Sequence, residues 1–423
     1  MEIKNSQKIF EKAKEVIPGA TQTLSKSYTQ FIEGVSPLFL EKGEGCHVWD
    51  VDGNKYIDYI LALGPITLGY NNKEVNEAIK KQLEKGISFS LPNSLEVELS
   101  CMLKEIIPCA EMVRFSKNGT DVTTAAVRVA RSYTGKEKIA YCGYHGGSSH
   151  WWGITTPLNN GIPKIFKDYI IKFEYNNIES LKEIFEKNEI AAVIMEPTCV
   201  TEPKEGFLEE VKELTHKNKA LLIFDEMVTG FRISMGGAQE FFKVTPDLAT
   251  FGKGVANGMP LSFLAGKKEY MKELGKIFFS MTYSGETLSL AAAIATIKEM
   301  KKNKVIEHMW KQGTLLKQGY NDLAKKYGIE TKCLGYAPKT YFGFYEKSEE
   351  SLGLKSLFLQ ETVKRGILCN CVNHISLSTS EEDIKKTLIA IEEAFKIMKN
   401  AVDENNFEKY MEGKPVQHVF RKH

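Results

Sequence analysis

The sequence lacks paired cysteines, long apolar runs and a dominant charge. Its eight cysteines stand at 46, 101, 109, 142, 199, 333, 369 and 371, with no CxxC pair among them. That scatter argues against a disulfide framework or a zinc ribbon and leads us to expect free thiols, no metal and a reducing, cytoplasmic setting. The longest apolar runs, such as Ile190–Met195 and Ala220–Phe224, are strand-length, whereas a membrane span needs about 20 apolar residues. The first residues, MEIKNSQKIFEKAKEVIPG, contain no apolar stretch of signal-peptide type. With 56 basic and 54 acidic residues the net charge is +2, too small to point to nucleic acid or a membrane surface, and the tail Arg421-Lys422-His423 is too short to change that. No GxGxxG unit follows a strand and no GxxxxGK[ST] occurs, which disfavours a nicotinamide dehydrogenase or a P-loop enzyme.

What is present reads as a large α/β protein. At 423 residues, 43% hydrophobic and 26% charged, the chain exceeds what one core usually serves. Residues 1–20 carry apolar positions at helical spacing, Ile9, Phe10, Ala13, Val16 and Ile17, stopped by Pro18-Gly19. Short strand-like runs follow at Pro37–Leu40, His47–Asp50 and Tyr56–Tyr59, with the turn Asp52-Gly53-Asn54 between the last two. From about residue 70, helical stretches (Lys73–Glu84, Ser94–Ile107, Asp121–Tyr133) alternate with apolar strands (Met112–Phe115, Lys138–Tyr141, Ala191–Met195, Ala220–Phe224, Leu248–Phe251, Ser262–Gly266). Near-continuous apolar strands in such alternation predict a buried, mostly parallel central sheet. A second α+β region closes on a long amphipathic helix, Glu381–Lys399. We therefore expect a large domain over 61–315, with 1–60 and 316–423 packing together as a small one.

Four strand ends carry chemistry. Ser116-Lys117-Asn118-Gly119-Thr120 precedes a helix, where free N–H groups and the dipole favour a phosphate; read alone, it is a helix cap by Thr120 or Asp121. Leu221–Phe224 run into Asp225-Glu226, and a carboxylate at the carboxyl end of a sheet strand can pair with a cationic ring nitrogen, or be an ordinary acidic loop. Lys253 lies between Gly252 and Gly254, which suggests close backbone approach; alone it is one of many surface lysines. Tyr144-His145-Gly146-Gly147 follows another strand and could stack on a planar ring, as could any packed aromatic. The order of these signals carries more than any one of them. Phosphate turn, stacking ring, carboxylate and lysine are the parts that hold a phosphorylated pyridine aldehyde.

These segments resemble the class III, fold type I aminotransferases that use pyridoxal 5′-phosphate (PLP), and within them the branch around glutamate-1-semialdehyde 2,1-aminomutase. The likeness is carried by GCHVWDVDGNKYIDYI (45–60), EMVRFSKNGTDVTTAAVRVARSYTGKEKI (111–139), GYHGG (143–147), LLIFDEMVTGFR (221–232), GGAQEFF (236–242), PDLATFGKGVANGMPLS (246–262) and TYSGETLSLAAA (282–293). It implies that Lys253 carries the cofactor through a Schiff base, that Asp225 pairs with the pyridine nitrogen, and that Met227 and Tyr144 flank the ring, with His145 beside it. It implies phosphate contacts from Asn118, Gly119 and Thr120, and from Thr282 to the neighbouring subunit. A homodimer with shared sites, cycling between PLP and its pyridoxamine form with an amino donor and a carbonyl acceptor, follows from the same resemblance.

The departures concern substrate. The arginine expected shortly after Pro18-Gly19 is missing from Ala20–Lys26, where Lys26 is no equivalent bidentate clamp. Leu63 replaces a tryptophan, and Asn370–Ser376, with His374, replaces a glutamate-containing segment. Cys199-Val200-Thr201 alters the stretch after Glu196-Pro197, which leaves the partner of the ring oxygen open. Lys26, Glu196 and His374 are the substrate-side candidates. The expectation is an aminotransferase on a substrate other than the aminomutase's. QTLSK, KNGTD and GETLSLAAA resemble aminotransferases of surface-polysaccharide pathways, so an amino-sugar or polyol precursor is the first expectation. An aminomutase or epimerase on the same cofactor is the alternative, and a PLP-binding protein without turnover the remote one.

Overall fold

A computed structural model describes residues 2–198, 200–346 and 349–418. Cys199 and the tail Arg421-Lys422-His423 lie outside the described residues. The chain forms two compact units. One takes the residues up to Asn72 and resumes at Glu307; the other spans Lys73–Ile306. The changeovers expected at 60/61 and 315/316 thus stand at 72/73 and 306/307.

In the unit made from both chain ends, β1 (Leu40–Glu44), β2 (His47–Asp50) and β3 (Lys55–Asp58) form an antiparallel meander. The first strand expected at Pro37–Leu40 begins only at Leu40. Proline cannot donate to a ladder, and β1 is a polar, largely exposed strand whose sequence, LEKGE, hides it from a search for apolar runs.

The central unit carries β4 (Met112–Ser116), β5 (Lys138–Cys142), β6 (Ile170–Lys172), β7 (Ile190–Met195), β8 (Leu221–Asp225), β9 (Leu248–Phe251) and β10 (Ser262–Gly266). They form one sheet in the order β4-β10-β9-β8-β7-β5-β6. The pairs among β6, β5, β7, β8 and β9 are parallel, and β10 is antiparallel to both its neighbours. Every residue of β7, β8, β9 and β10 is buried, as a sheet covered on both faces requires. Helix Gly119–Thr134 packs Val122, Ala125, Ala126 and Val129 into this core and stops at Gly135, whose φ of +70° suits a glycine. The link from β9 to β10 is about ten residues, too short for a parallel crossover, so the chain reverses there.

Back in the first unit, β11 (Thr331–Tyr336), β12 (Lys339–Glu346), β13 (Glu349–Glu350) and β15 (Val372–His374) make a second antiparallel sheet, while β14 (Ile367–Leu368) joins β3 in parallel. Helix Glu381–Asp403 starts with Ser380 and Asp383 capping each other. Among the described residues no helix is long and apolar enough to cross a membrane, and no disulfide joins the seven described cysteines.

Candidate active site

Because β10 is antiparallel to both β4 and β9, the carboxyl ends of β4, β5, β7, β8 and β9 share one edge of the sheet. The residues immediately beyond those ends are Lys117, Gly143, Glu196, Glu226 and Gly252. In an open α/β sheet this edge is where ligands bind.

Asp225 closes β8 and is buried. Its Oδ2 lies 2.9 Å from His145 Nδ1, and its Oδ1 accepts from Met227 N at 3.2 Å and from Thr250 Oγ1 at 3.3 Å. Thr250 stands directly opposite Asp225 in the β8–β9 ladder, so sheet register itself aligns this pair. His145 Nε2 in turn faces Cys142 O at 3.2 Å, and its ring stacks on Trp151 at 6.1 Å. The carboxylate is held from three sides with its strand fully buried.

Met227 leads away from Asp225 and passes between two glycines. A Cβ at Gly119 would come within 3.0 Å of its Sδ, and one at Gly252 within 2.8 Å. The close approach inferred from the glycine beside Lys253 is therefore an approach to Met227. Lys253 follows with φ +38°, a left-handed conformation rare for a side-chain-bearing residue. Strain of this kind, of order 1–3 kcal/mol, collects at functional sites.

Asn118 is the N-cap of helix Gly119–Thr134. Its N–H donates to Asp121 Oδ2 at 2.9 Å, and its carbonyl accepts from Ser262 Oγ at 2.8 Å. Gly146 crosses this helix start so closely that a Cβ would meet Thr120 Oγ1 at 2.3 Å. Thr123 Oγ1 donates to His145 O at 2.9 Å and ties the two loops together. The phosphate turn and the aromatic loop, read separately in the sequence, are one cradle.

Tyr144 is 48% exposed, with its ring edge-on to Trp152 at 4.6 Å. Its N–H donates to Glu196 Oε2 at 3.0 Å. Burial, followed by the charges of Asp225 and Glu196, raises the Tyr144 phenol above its ordinary range. Glu196 also lines a cavity of about 230 Å³ with Cys142, Gly143, Tyr175 and Thr201.

Glu226, read in the sequence only as a neighbour of Asp225, proves to be a buried anchor. It accepts from Ala238 N at 2.7 Å, Gln239 N at 2.9 Å and, by a short bond, Thr229 Oγ1. Burial pushes its carboxyl up to about 7. A Cβ at Gly237 would strike this carboxylate at 2.4 Å, which accounts for a glycine there. Thr250, Trp151 and Glu226 all escaped sequence reasoning. Thr250 had a signal, a hydroxyl two residues ahead of Gly252 on a strand of even period, but its partner emerges only from register.

Three candidates remain. Thr282 is exposed and lines a cavity of about 690 Å³ with Ser88, Phe89, Leu91, Arg114 and Glu286, none of them a residue of the cradle. Lys117, beside the cradle, pairs instead with Glu286 at 2.8 Å. Lys26 and His374 belong to the unit of the chain ends. There Leu61, Ala62 and Leu63 have φ of +45°, +58° and +73°, ending at Gly64. His374 Nε2 lies 2.8 Å from where a Cβ of Gly64 would sit. Asp58 under this turn accepts from Tyr70 Oη, Ile60 N and Leu61 N; burial raises it to about 6 against those bonds and the charge of Lys26. The structure thus sets His374 against the strained turn that carries Leu63, with the charge of Lys26 acting on Asp58.

The buried carboxylate, the lysine, the aromatic loop and a helix N-terminus closed over by glycine contacts are groups that could hold the ring nitrogen, aldehyde, ring face and phosphate of pyridoxal 5′-phosphate. Comparison with known proteins agrees. The aminotransferase class-III family model matches residues 30–395. The chain is 38% identical to a 3-aminobutyryl-CoA aminotransferase of Cloacimonas acidaminovorans, covering 93% of this chain and 97% of the relative. It is 36% identical to a glutamate-1-semialdehyde 2,1-aminomutase of Archaeoglobus fulgidus over 93% and 100%. Among solved structures it is similar to a PLP form of the Sphingopyxis FumI protein, with a TM-score of 0.90 at 25% identity, covering 98% of this chain and 99% of that one. A glutamate-1-semialdehyde aminomutase from Pseudomonas aeruginosa shares the fold, with a TM-score of 0.83 at 20% identity over 93% and 94%. Matched along nearly its whole length, the chain belongs to the class III aminotransferase family, whose enzymes work with pyridoxal 5′-phosphate.

Proposed function

We propose that this enzyme transfers an amino group from an amino-acid donor to a carbonyl acceptor, with Lys253 as the cofactor-bearing residue. The observation that carries the proposal is Asp225, a buried carboxylate fixed by His145, Met227 N–H and Thr250 at the end of the strand adjoining the one that leads to Lys253. Pyridoxal phosphate, when bound, supplies the electron sink that lets a C–H bond beside nitrogen break. The chain supplies the rest. Asp225 holds a proton on the ring nitrogen, and His145 keeps that carboxylate in place. The first N–H groups of helix Gly119–Thr134, with Asn118 and Thr120, hold the phosphate. Met227 and Tyr144 confine the ring between them. Lys253 Nζ would bear the cofactor and, when free, would take and return the proton. Thr282 completes the phosphate site of a second copy, so the active unit is a homodimer.

Residues 20–26 offer no arginine fork to a substrate carboxylate. An amino-sugar or polyol precursor fits that lack, and so does a carbonyl compound whose acid is masked as a thioester. The 38% identity to a 3-aminobutyryl-CoA aminotransferase favours the thioester. The test has two halves. Borohydride reduction and peptide mapping should place the pyridoxyl label on Lys253; a label on another lysine overturns the assignment. Screening amino acids should then convert the cofactor to its amine form, and the loaded enzyme should aminate a 3-oxoacyl-CoA, a keto sugar or a keto polyol. Conversion of a single substrate with no donor requirement would instead establish a mutase.

A further inference from the structure

We propose that Cys46, His47 and Asp383 form a transition-metal site, matched to Zn²⁺, in the unit built from the two chain ends. Among the described residues this is the cluster in which one ligand atom from each of three such side chains lies within 4.8 Å of the other two. Cys46 Sγ is 3.5 Å from Asp383 Oδ2 and 3.7 Å from His47 Nδ1, and His47 Nε2 is 3.2 Å from Asp383 Oδ1. Bonds of about 2.3 Å to sulfur and about 2.0–2.2 Å to nitrogen and oxygen give tetrahedral edges of about 3.3–3.6 Å. The three distances above fall on different atoms of the His47 ring and of the Asp383 carboxylate, while one ligand atom from each residue lies within 4.8 Å of the other two, so a turn of the His47 ring and a small closing of the three side chains seat an ion among them.

The local structure explains the convergence. Side chains of consecutive strand residues point to opposite faces, which would separate Cys46 from His47. Cys46 is instead a turn residue. β1 and β2 join through Gly45-Cys46, with Glu44 paired to His47 and Gly45 at φ +59°. The thiol is thereby swung to the imidazole. Asp383 comes from the first turn of helix Glu381–Asp403, where its Oδ2 also accepts from Ser380 N at 2.9 Å. The same oxygen accepts from Ser380 Oγ at 2.5 Å, so Oδ1, beside His47 Nε2, is the oxygen with acceptor capacity left for an ion.

Cys46 and Asp383 are buried and His47 is partly exposed. His47 opens onto a cavity of about 550 Å³ lined also by Lys55, Arg365, Lys386 and Glu393, which provides an entry path from its side. Three protein ligands with one open position is a recurrent zinc arrangement, and a thiolate with an imidazole favours Zn²⁺ over Mg²⁺ or Ca²⁺. Without an ion the thiol proton is donated to Asp383, and burial together with that carboxylate pushes Cys46 up to about 12. The ion takes the place of that proton, so one proton is released per ion bound. Lys55, Lys386 and the positive helix end face the ion, and the thiolate and carboxylate supply the opposite charge.

The bound ion links two segments 337 residues apart in sequence. The test uses tag-free, PLP-loaded protein stripped with a chelator and dialysed against Zn²⁺ alone. Elemental analysis should find one ion per chain, and zinc should raise the thermal midpoint. His47→Ala and Cys46→Ser should each weaken zinc binding at least about tenfold, the scale of disturbing a zinc ligand set, and abolish the rise in midpoint. Cys101→Ser, at an exposed thiol, should change neither. With Co²⁺ a thiolate charge-transfer band should appear and vanish in Cys46→Ser. Substoichiometric zinc, full affinity in His47→Ala, or loss only in Cys101→Ser overturns the site and leaves a hydrogen-bonded helix cap; His47→Ala keeps the test decisive should Cys46→Ser fail to fold.

Discussion

Asp225→Asn separates charge from shape. The asparagine Oδ1 can still accept from Met227 N–H and Thr250 Oγ1, at 3.2 and 3.3 Å in the parent. Its amide faces His145 Nδ1, the 2.9 Å partner of the lost oxygen. The fold therefore forfeits no more than one hydrogen bond, about 1 kcal/mol. The catalytic loss is larger. Removing one partner of a buried, hydrogen-bonded charge pair costs about 2–5 kcal/mol, and at about 1.36 kcal/mol per tenfold this slows the donor half-reaction by roughly 30- to 5,000-fold. Stopped-flow absorbance of the reconstituted variant measures that rate. Dialysis followed by cofactor assay measures retention, and a thermal scan measures the fold. The expected outcome is retained cofactor, a midpoint within a few degrees of the parent, and a half-reaction slowed into that range. A rate close to the parent's in a fully loaded variant would refute the role assigned to the carboxylate; loss of cofactor would show that Asp225 acts in binding instead.

Glu226 gives a prediction with a sign. Its folded value of about 7 lies above the ordinary 4.5, so its contribution is fully present below pH 4.5, declines as pH rises, and is gone above 7. The decline amounts to about 3 kcal/mol. Measured at one scan rate, the parent's thermal midpoint should fall relative to Glu226→Gln across that window; parallel curves would refute it. Mixing Lys253→Ala with Thr282→Ala protein should restore part of the activity through hybrid dimers, whereas a fully active monomer in sedimentation would end the shared-site proposal. Glutamate-1-semialdehyde should be a poor substrate, because a missing arginine fork costs orientation as well as affinity; turnover of about 1 per second or more would return the enzyme to the aminomutases.

Strands buried on both faces were the legible part of the fold. Leu248–Phe251 and Ser262–Gly266 were placed to the residue, and Met112–Ser116, Lys138–Cys142, Ile190–Met195 and Leu221–Asp225 to within one. Their apolar runs reflect burial that the parallel sheet imposes. The short edge strand β6 and the helices Ile178–Lys187 and Phe207–Lys217 went unread, as did the direction of β10. Direction depends on the length of a connection rather than on the strand's own residues. At the site, Asp225 and Lys253 stood out because a charge at the end of an apolar run is visible locally. Thr250, Trp151 and Glu226 act through partners 25, 6 and 12 residues away, respectively, and nothing in their own neighbourhoods announces it. The metal cluster is the extreme case, since no spacing rule connects 46 with 383.

The pairing of β3 with β14 joins Ile57 to Ile367, about 310 positions apart. During synthesis at about 5–20 residues per second, the first three strands wait some tens of seconds for their partner to emerge. Throughout that interval Val48, Tyr56 and Ile60 lack Val363 and Leu368, the residues that cover them in the finished core. The central unit, contiguous from Lys73 to Ile306, has no such delay. Assembly is therefore ordered by the ribosome, the cofactor cradle first and the unit of the chain ends last. A truncation before residue 363 removes Val363 and Leu368 and leaves Val48, Tyr56 and Ile60 without that cover.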